Sequence, residues 1–275
     1  MKFTKMHGCG NDYVYVNLFE ETIENPSALS VEVSDRHFGI GSDGLITIGP
    51  SQKADFAMHI YNADGSEAEM CGNGIRCVGK YVYDHGLTDK TEILVESGAG
   101  IKVLQLKVED QKVSQVTVDM GEPSMEPDKI PVIAQKNPVV DEEIEVDGKV
   151  WNMTCVSMGN PHAVVFVENV ADFNLEYWGP KFENHERFPK RTNTEFVELI
   201  SDTEVSMRVW ERGSAETWAC GTGTCATVMA CILNGKTKDE VLVHLRGGDL
   251  TIRYDRETNH VFMTGPATEV FRGEY

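Results

Sequence analysis

An internal repeat constrains this chain more than any other feature of its sequence. The turn Cys71–Gly74 (Cys-Gly-Asn-Gly) has a counterpart in Cys220–Gly223 (Cys-Gly-Thr-Gly), 149 positions later (220 − 71). The pair Gly10-Asn11 matches Gly159-Asn160 at the same offset of 149 (159 − 10). Further matches at that offset, without a gap, join Met58 to Met207, Glu67 to Glu216 and segment 56–61 to segment 205–210. Several matches in one order at one offset predict two similar halves of ordinary domain size.

Each predicted half contains the same series of elements. Alternation of apolar and polar residues, as in 102–108 and 113–120, predicts β-strands, which are separated by turns rich in Gly, Asp, Asn and Pro. A helical run follows each cysteine turn, Ile75–Tyr83 in the first half and Cys225–Leu233 in the second. The second run is apolar on nearly all sides, which indicates a buried helix. Many strands around one buried helix, twice, predict an α+β protein.

Composition and charge restrict the classes of partner. The chain has 275 residues, 41% of them hydrophobic, which is enough for packed cores. Its formal net charge of -19 repels phosphate backbones and anionic lipid, so we expect neither nucleic acid nor membrane as a partner. The longest apolar stretch, Ala226–Leu233, is too short to span a bilayer, and the N-terminal residues lack the apolar core of a signal peptide. We therefore expect a soluble, cytoplasmic protein.

The seven cysteines are expected to be thiols of a reducing compartment. Their number is odd and no C-x2-C pair occurs, so the sequence indicates neither a disulfide framework nor a zinc ribbon. Cys77, Cys225 and Cys231 lie within the helical runs and are predicted to pack in the core, and Cys9, in a turn, is predicted to be structural. No metal-ligand cluster, P-loop or dinucleotide motif occurs, so we expect no metal and no cofactor.

Cys71 and Cys220 each open a glycine-rich turn that precedes a helix. Glycines allow backbone N–H groups to point outward, and a helix N-terminus carries partial positive charge, so each turn is a candidate anion site. The same field is expected to lower the pKa of the adjacent thiol from its free value of about 8.5. Two such thiols across one cleft would act on opposite faces of a substrate α-carbon, one thiolate removing its proton and the other thiol returning one. The predicted activity is therefore cofactor-independent racemisation or epimerisation of a small-molecule amino acid.

Other polar residues cluster in the matched turns, where a polar substrate would be recognised: Asn11, Asn62, Asn160, His162, Asn193, Glu211 and Arg212. Each of them alone is more often a turn former or a surface group. Glu211 and Arg212 could bind an amino group and a carboxylate respectively, or they could form a surface salt bridge. The spacing leaves both interpretations open.

Six segments give the chain a resemblance to the diaminopimelate epimerase family over essentially its full length. Two of them contain the cysteine motifs, Cys71–Cys77 and Glu216–Gly223. The others are Lys5–Asp12, Asn62–Glu67, Ser157–His162 and Glu211–Gly213. The order and spacing of the two cysteine motifs make this resemblance specific.

The resemblance implies a fold, a reaction and an assembly. The fold would have two pseudo-symmetric domains, each a mostly antiparallel, β-barrel-like sheet around a central helix. The first domain would comprise residues 1–118 with a C-terminal strand, about 263–275, that returns to it, and the second would comprise 119–262. The reaction would interconvert LL- and meso-2,6-diaminoheptanedioate in lysine and peptidoglycan biosynthesis, without a cofactor. The protein would be a homodimer.

The resemblance also implies roles for individual residues. Cys71 and Cys220 match the two catalytic cysteines, and His162 and Glu211 match groups that support their protonation states. Backbone N–H groups of two loops, Gly72-Asn73 and Gly221-Thr222, match those that hold the reacting carboxylate. Six positions match residues that bind substrate, chiefly its distal end: Asn11, Asn62, Asn160, Asn193, Glu211 and Arg212. The chain departs from the common family pattern at three positions. Cys9 replaces a commoner leucine, Gly44 stands where some members have glutamine, and Ala215 replaces a glycine.

Three other functions remain open. The chain could be another enzyme of the same fold, such as a histidine racemase, a proline-racemase-like enzyme or a PhzF-like isomerase. The cysteine pair disfavours the PhzF type, and Asn193 with Arg212 favours a substrate with a distal carboxylate. A redox-sensing protein would use Cys71 and Cys220 as a reversible disulfide. A non-catalytic binding protein would hold a zwitterion without exchanging its α-proton.

Overall fold

The structure is a computed structural model that describes all residues from Met1 to Tyr275. The chain forms two compact units, one of residues 1–119 with 264–275 and the other of residues 120–263. The predicted division into epimerase halves, 1–118 with about 263–275 and 119–262, stays a prediction. None of the helices combines the length and the apolar composition that a membrane span requires.

The first part of the chain alternates short strands with two helices. In order these are β1 (Lys2–Gly8), β2 (Asn11–Asn17), α1 (Pro26–Ser34), β3 (Gly44–Gly49), β4 (Phe56–Asn62), β5 (Glu67–Ala68), α2 (Gly72–Asp84), β6 (Glu92–Ser97), β7 (Gly100–Glu109) and β8 (Lys112–Gly121).

The second part has the same alternation. A 3-10 turn (Pro127–Lys129) precedes β9 (Glu142–Val146), β10 (Lys149–Ser157), β11 (Pro161–Phe166), α3 (Leu175–Glu183), β12 (Asn193–Ser201), β13 (Glu204–Glu211), β14 (Ala215–Thr217), α4 (Gly221–Leu233), β15 (Glu240–Leu245), β16 (Gly248–Asp255), β17 (His260–Gly265) and β18 (Thr268–Glu274).

Strand pairing is mostly antiparallel within each unit. In the first unit β1 pairs with β2, β3 with β4, β6 with β7 and β7 with β8 in antiparallel fashion, and β2–β3 and β4–β6 are parallel. In the second unit β10–β11, β12–β13 and β15–β16 are antiparallel, and β11–β12 and β13–β15 are parallel. The C-terminal strand β18 pairs with β1, so the end of the chain belongs to the first unit.

The internal repeat extends to the register of the strands. Val14 of β2 faces Leu45 of β3, and Ala163 of β11 faces Thr194 of β12. Both partners in the second unit follow those of the first by 149 positions (163 − 14 and 194 − 45). The two units therefore have the same internal topology, and the predicted fold class of two pseudo-symmetric, sheet-dominated units is confirmed.

One helix of each unit is buried against strands. Helix α2 packs on β1, β2 and β7, and α4 packs on β10, β11, β12 and β16. From Cys225 to Cys231 every residue of α4 is buried, as its apolar composition predicted. Both helices begin three to four residues earlier than their apolar pattern suggested, at Gly72 and Gly221. Those first residues are Gly, Asn and Thr, which have low helix propensity but are stabilised by the cap described below.

Candidate active site

Cys71 and Cys220 are the N-cap residues of the two buried helices. The Cys71 sulfur accepts a hydrogen bond from the Gly74 backbone N–H at 3.2 Å. The Cys220 sulfur accepts the corresponding bond from Gly223 at 3.4 Å. Each thiol thus occupies the place that a Ser or Asp side chain usually takes at a helix start, where N–H groups favour negative charge.

The loop is tightly packed around the glycine at the third position after each cysteine. A Cβ on Gly74 would lie 3.3 Å from the Cys71 sulfur and 2.6 Å from Ile46 Cδ1. A Cβ on Gly223 would lie 3.2 Å from the Cys220 sulfur and 2.6 Å from Glu195 Oε1. Any larger residue would therefore displace the thiol or the side chain beneath the loop.

The surroundings of Cys71 are amides, a phenol and a guanidinium. The Cys71 S–H donates to Asn11 Oδ1 at 3.2 Å. The Asn73 amide is 3.5 Å from the same oxygen, and the Asn11 amide donates to Asp43 Oδ2 at 2.8 Å. Burial raises the pKa of the Cys71 thiol, and the Gly74 N–H, the Tyr13 hydroxyl and the Arg76 guanidinium partly offset that rise.

The surroundings of Cys220 are acidic. Burial raises the pKa of this thiol well above its ordinary value, and the Glu211 carboxylate raises it further. Hydrogen bonds from Thr222 and from the Gly223 N–H oppose the rise only in part. The predicted lowering of both thiol pKa values is therefore wrong. Loss of hydration, which is partial at Cys71 and larger at Cys220, outweighs the field of the helix N-terminus.

His162 and Asn160 lie beside the Cys220 loop. His162 is fully buried, with Nδ1 2.7 Å from Glu195 Oε1 and Nε2 2.9 Å from Asn160 Oδ1. The Asn160 amide donates to Thr222 Oγ1 at 3.2 Å. In this unit the structure therefore brings together three predicted site residues, Asn160, His162 and Thr222. It adds Glu195, which the sequence analysis did not predict as a site residue.

Glu211, Asn193 and Arg212 form a second group at the end of β13. The Glu211 carboxylate accepts a short hydrogen bond from the Thr217 hydroxyl. The Arg212 backbone N–H donates to Asn193 Oδ1 at 2.8 Å, and Arg212 Nη1 donates to the Lys190 carbonyl at 3.0 Å. Glu211 and Arg212 thus have different partners, and the exposed guanidinium keeps N–H groups for a further acceptor.

Asn62 is separate from these contacts. Its amide donates to Ser66 Oγ at 3.0 Å, and its backbone N–H donates to the Ser66 carbonyl, in the turn between β4 and β5. Cys77, Cys225 and Cys231 are fully buried in the two helices, and Cys9 is 2% exposed. Burial raises the pKa of Cys77 to about 11, so this thiol is held neutral in the core. No group of three or more His, Cys, Asp or Glu residues is arranged to hold a metal ion.

Sequence reasoning missed Glu195 and Tyr13, although the repeat contained a signal for both. At the offset of 149, Tyr13 corresponds to His162 and Ile46 corresponds to Glu195 (162 − 13 and 195 − 46). A glutamate that replaces an isoleucine inside an apolar strand marks a buried carboxyl, which is uncommon without a partner or a function. Comparing the two halves residue by residue would have found it.

Comparison with known proteins agrees with the motifs. The family model described as "Diaminopimelate epimerase" matches residues 3–126 and 154–270. A diaminopimelate epimerase of Agathobacter rectalis is 74% identical over 281 aligned residues, covering 100% of this chain and 99% of that protein. Another, from Acetivibrio thermocellus, is 61% identical and covers 100% of this chain and 98% of that protein.

A solved structure shares the fold at low sequence identity. The PhzF-family phenazine biosynthesis protein of Bacillus anthracis superposes with a TM-score of 0.71 at 17% identity, covering 100% of this chain and 98% of that one. At that identity the likeness shows the fold alone. The family model and the relatives carry the assignment: the chain belongs to the diaminopimelate epimerase family.

Proposed function

We propose that the protein epimerises LL-2,6-diaminoheptanedioate to the meso form with Cys71 and Cys220 as its two acid–base groups. The observation that carries the proposal is the matched pair of N-cap thiols, each held by a backbone N–H of its own loop. Relatives named diaminopimelate epimerase at 74% and 61% identity over the whole chain support the substrate.

The proposed reaction transfers one proton to the enzyme and one from it. One thiolate takes the α-proton from one face, and the C–H electron pair moves onto the α-carbon and its carboxylate. The opposite thiol then donates its proton to the other face and becomes a thiolate. Backbone N–H groups at Gly72-Asn73 and Gly221-Thr222 would stabilise the charge on the reacting carboxylate, each worth roughly 3 kcal/mol by analogy with oxyanion holes.

The two thiols are proposed to differ in the resting enzyme. Burial and the Glu211 carboxylate raise the pKa of Cys220 well above its ordinary value, whereas Arg76 is among the groups that limit the rise in the pKa of Cys71. The form with a Cys71 thiolate and a Cys220 thiol is then the more populated of the two singly ionised forms. That form removes a proton through Cys71 and returns one through Cys220.

Recognition of the distal end is assigned to polar residues outside the cysteine loops. Arg212 is proposed to bind the distal carboxylate with the N–H groups that the Lys190 carbonyl leaves available. The other proposed substrate contacts are Asn11, Asn62, Asn73, Asn160, Asn193, Glu211 and Thr222. Both ends of the Asn193 amide contact backbone, at Pro161 and Arg212, so Asn193 would also hold the Arg212 turn in place.

The proposal is tested by incubating reduced enzyme with diaminopimelate, histidine and proline in heavy water. We expect deuterium at an α-carbon of diaminopimelate, with conversion between the LL and meso isomers. Exchange into histidine or proline instead would assign the chain to another racemase. Binding of diaminopimelate without exchange would contradict catalysis altogether.

A cytoplasmic location, a homodimeric state and independence of cofactors are parts of the same proposal. Activity should survive dialysis against a chelator and treatment with a carbonyl reagent that traps pyridoxal. A loss that zinc or pyridoxal phosphate restores would contradict it. Sedimentation of the active protein should give twice the mass of the 30.6 kDa chain.

A further inference from the structure

A continuous chain of side-chain contacts joins a buried carboxyl to the Cys220 sulfur. Glu195 Oε1 is 2.7 Å from His162 Nδ1, and His162 Nε2 is 2.9 Å from Asn160 Oδ1. Asn160 Nδ2 is 3.2 Å from Thr222 Oγ1, which is 3.6 Å from the Cys220 sulfur. The five groups thus form one path from the core of the second unit to the thiol.

The direction of each hydrogen bond along this path follows from the Asn160 amide. Its oxygen faces His162, so the ring must donate through Nε2–H. Its NH2 group donates to the Thr222 oxygen, so the Thr222 hydroxyl keeps its own hydrogen for the Cys220 sulfur. All donors therefore point towards the thiol, an arrangement that favours its thiolate form.

This direction requires a second proton on the Glu195–His162 pair. With Nε2 protonated, the short contact at Nδ1 has a hydrogen bond only if another proton lies between Nδ1 and Glu195 Oε1. A pair with two protons is neutral overall, whether as carboxylic acid and imidazole or as carboxylate and imidazolium. A pair with one proton carries a full negative charge.

Burial favours the neutral pair. Glu195 and His162 are both 0% exposed, and Glu195 Oε2 has no hydrogen-bond partner. An isolated charge in such a place is costly, because a side chain with no exposed surface loses its hydration by bulk water. The charged groups that act on the Glu195 carboxyl are His162 and the Glu211 carboxylate, and Glu211 opposes a further negative charge.

The first unit has no counterpart of the carboxyl. Ile46 takes the position of Glu195 and Tyr13 takes that of His162, at the offset of 149 positions. Beneath the cysteine loops, Ile46 Cδ1 approaches Gly74 as Glu195 Oε1 approaches Gly223, each 2.6 Å from a Cβ built there. The buried acid is therefore found on the Cys220 side alone. Because isoleucine fills the matching position in the first unit, packing by itself does not require a carboxyl there.

We propose that Glu195 is a positioning residue for proton transfer at Cys220, because it shares with His162 the proton that keeps Thr222 donating to the Cys220 sulfur. The thiolate that forms when Cys220 has delivered its proton to substrate is thereby stabilised. This inference rests on the proposed role of Cys220. It adds to that role a buried acid that never touches substrate.

Two substitutions test whether the side chain at position 195 must donate a hydrogen bond to His162 or must be an ionised carboxylate. In Glu195→Gln the amide N–H can donate to His162 Nδ1, so the direction of the path is preserved. In Glu195→Leu the partner of Nδ1 is removed. We expect kcat of Glu195→Gln within about threefold of wild type and kcat of Glu195→Leu lowered at least about tenfold, a modest share of a general acid–base contribution. Glu142→Gln, which alters another buried carboxyl of this unit, should leave kcat unchanged.

Nitrogen-15 spectra of the histidine ring test the same inference on the unaltered protein. His162 is assigned by the signal that the His162→Gln variant lacks. We expect a protonated Nε2 in the wild type and in Glu195→Gln, and loss of that fixed state in Glu195→Leu. The wild-type spectrum needs no substrate and does not depend on the stability of any Glu195 variant.

Several outcomes would overturn the proposal. An unprotonated His162 Nε2 in the wild type would reverse the path, and equal loss of kcat in Glu195→Gln and Glu195→Leu would mean that an ionised carboxylate is needed. Wild-type kcat in Glu195→Leu would make Glu195 irrelevant to the reaction. Failure of the wild type to exchange the α-proton of diaminopimelate would refute the proposed function instead, and the ring spectra would still report the path.

Discussion

The side-chain oxygen of Asn193 accepts the backbone N–H of Arg212 at 2.8 Å, and this bond anchors the turn that presents the guanidinium. Asn193 begins β12 and Arg212 directly follows β13, two antiparallel neighbours. This hydrogen bond at the end of two paired strands gives the exposed Arg212 side chain a fixed point of origin. A fixed backbone position is one requirement of the proposed role of Arg212 in binding a carboxylate.

Replacement of Arg212 by alanine should weaken use of diaminopimelate strongly. Loss of a charge-assisted pair that substrate buries costs about 2 kcal/mol or more, or roughly thirtyfold in kcat/KM. Steady-state kinetics in both directions measure the effect. Arg256→Ala, which removes an exposed guanidinium paired with Asp239, is the matched control and should change little. A kcat/KM for Arg212→Ala within a few-fold of wild type would mean that Arg212 does not bind the distal carboxylate.

Replacement of either proposed catalytic thiol should abolish epimerisation in both directions. Inversion needs a proton to leave one face and another to reach the opposite face, so neither thiol can replace the other. With a β-halogenated analogue, the remaining thiol can still remove a proton because the carbanion eliminates halide. Cys71→Ser and Cys220→Ser should therefore eliminate from opposite isomers.

The control for the thiol variants is Cys225→Ser, because Cys225 is fully buried in α4. Its activity per folded molecule should match that of the wild type. The two-base mechanism is wrong if Cys71→Ser and Cys220→Ser prefer the same isomer of the analogue, or if either variant retains near-full epimerisation.

Alkylation of the thiols should follow their order of ionisation. Burial and the Glu211 carboxylate raise the pKa of Cys220, so Cys71 should react with iodoacetamide at lower pH than Cys220. Glu211→Gln removes that carboxylate, which makes the Cys220 thiolate less unfavourable. The pH midpoint of Cys220 alkylation should then move down, as mass spectrometry of the labelled peptides would measure. An unchanged or higher midpoint would remove Glu211 from the electrostatics of this thiol.

Ala215 should be replaceable by glycine with a gain in stability. Its φ of 59° lies in the left-handed region, where a Cβ costs roughly 1–2 kcal/mol. Glycine relieves that cost but adds entropy to the unfolded chain, worth about 0.5–1 kcal/mol, so the expected net gain is about 1 kcal/mol or less. Urea denaturation measures it. Ala99→Gly, at an exposed residue without a positive φ, should instead destabilise, and a loss of stability in Ala215→Gly would contradict the strain.

Much of the fold and of the site follows from the sequence because it depends on local and repeated patterns. The offset of 149 positions predicted two units with one topology, and the strand registers of the two units repeat at that offset. The apolar run after Cys220 predicted a buried helix, and the Cys-Gly-x-Gly turns predicted thiols at helix starts. Capping, turn formation and periodicity are determined by residues a few positions apart, so each is visible in the chain.

Only the tertiary structure decided the electrostatics of the site. The helix N-terminus by itself favours a thiolate, yet packing buries Cys220 and partly buries Cys71, and this second effect is the larger. Packing also brings the Glu195 carboxyl of β12 beneath the Gly223 loop of α4 and commits the Asn193 amide to backbone. Desolvation and contacts between distant residues depend on what surrounds each group in three dimensions, and that environment is assembled only when the strands and the helix pack together.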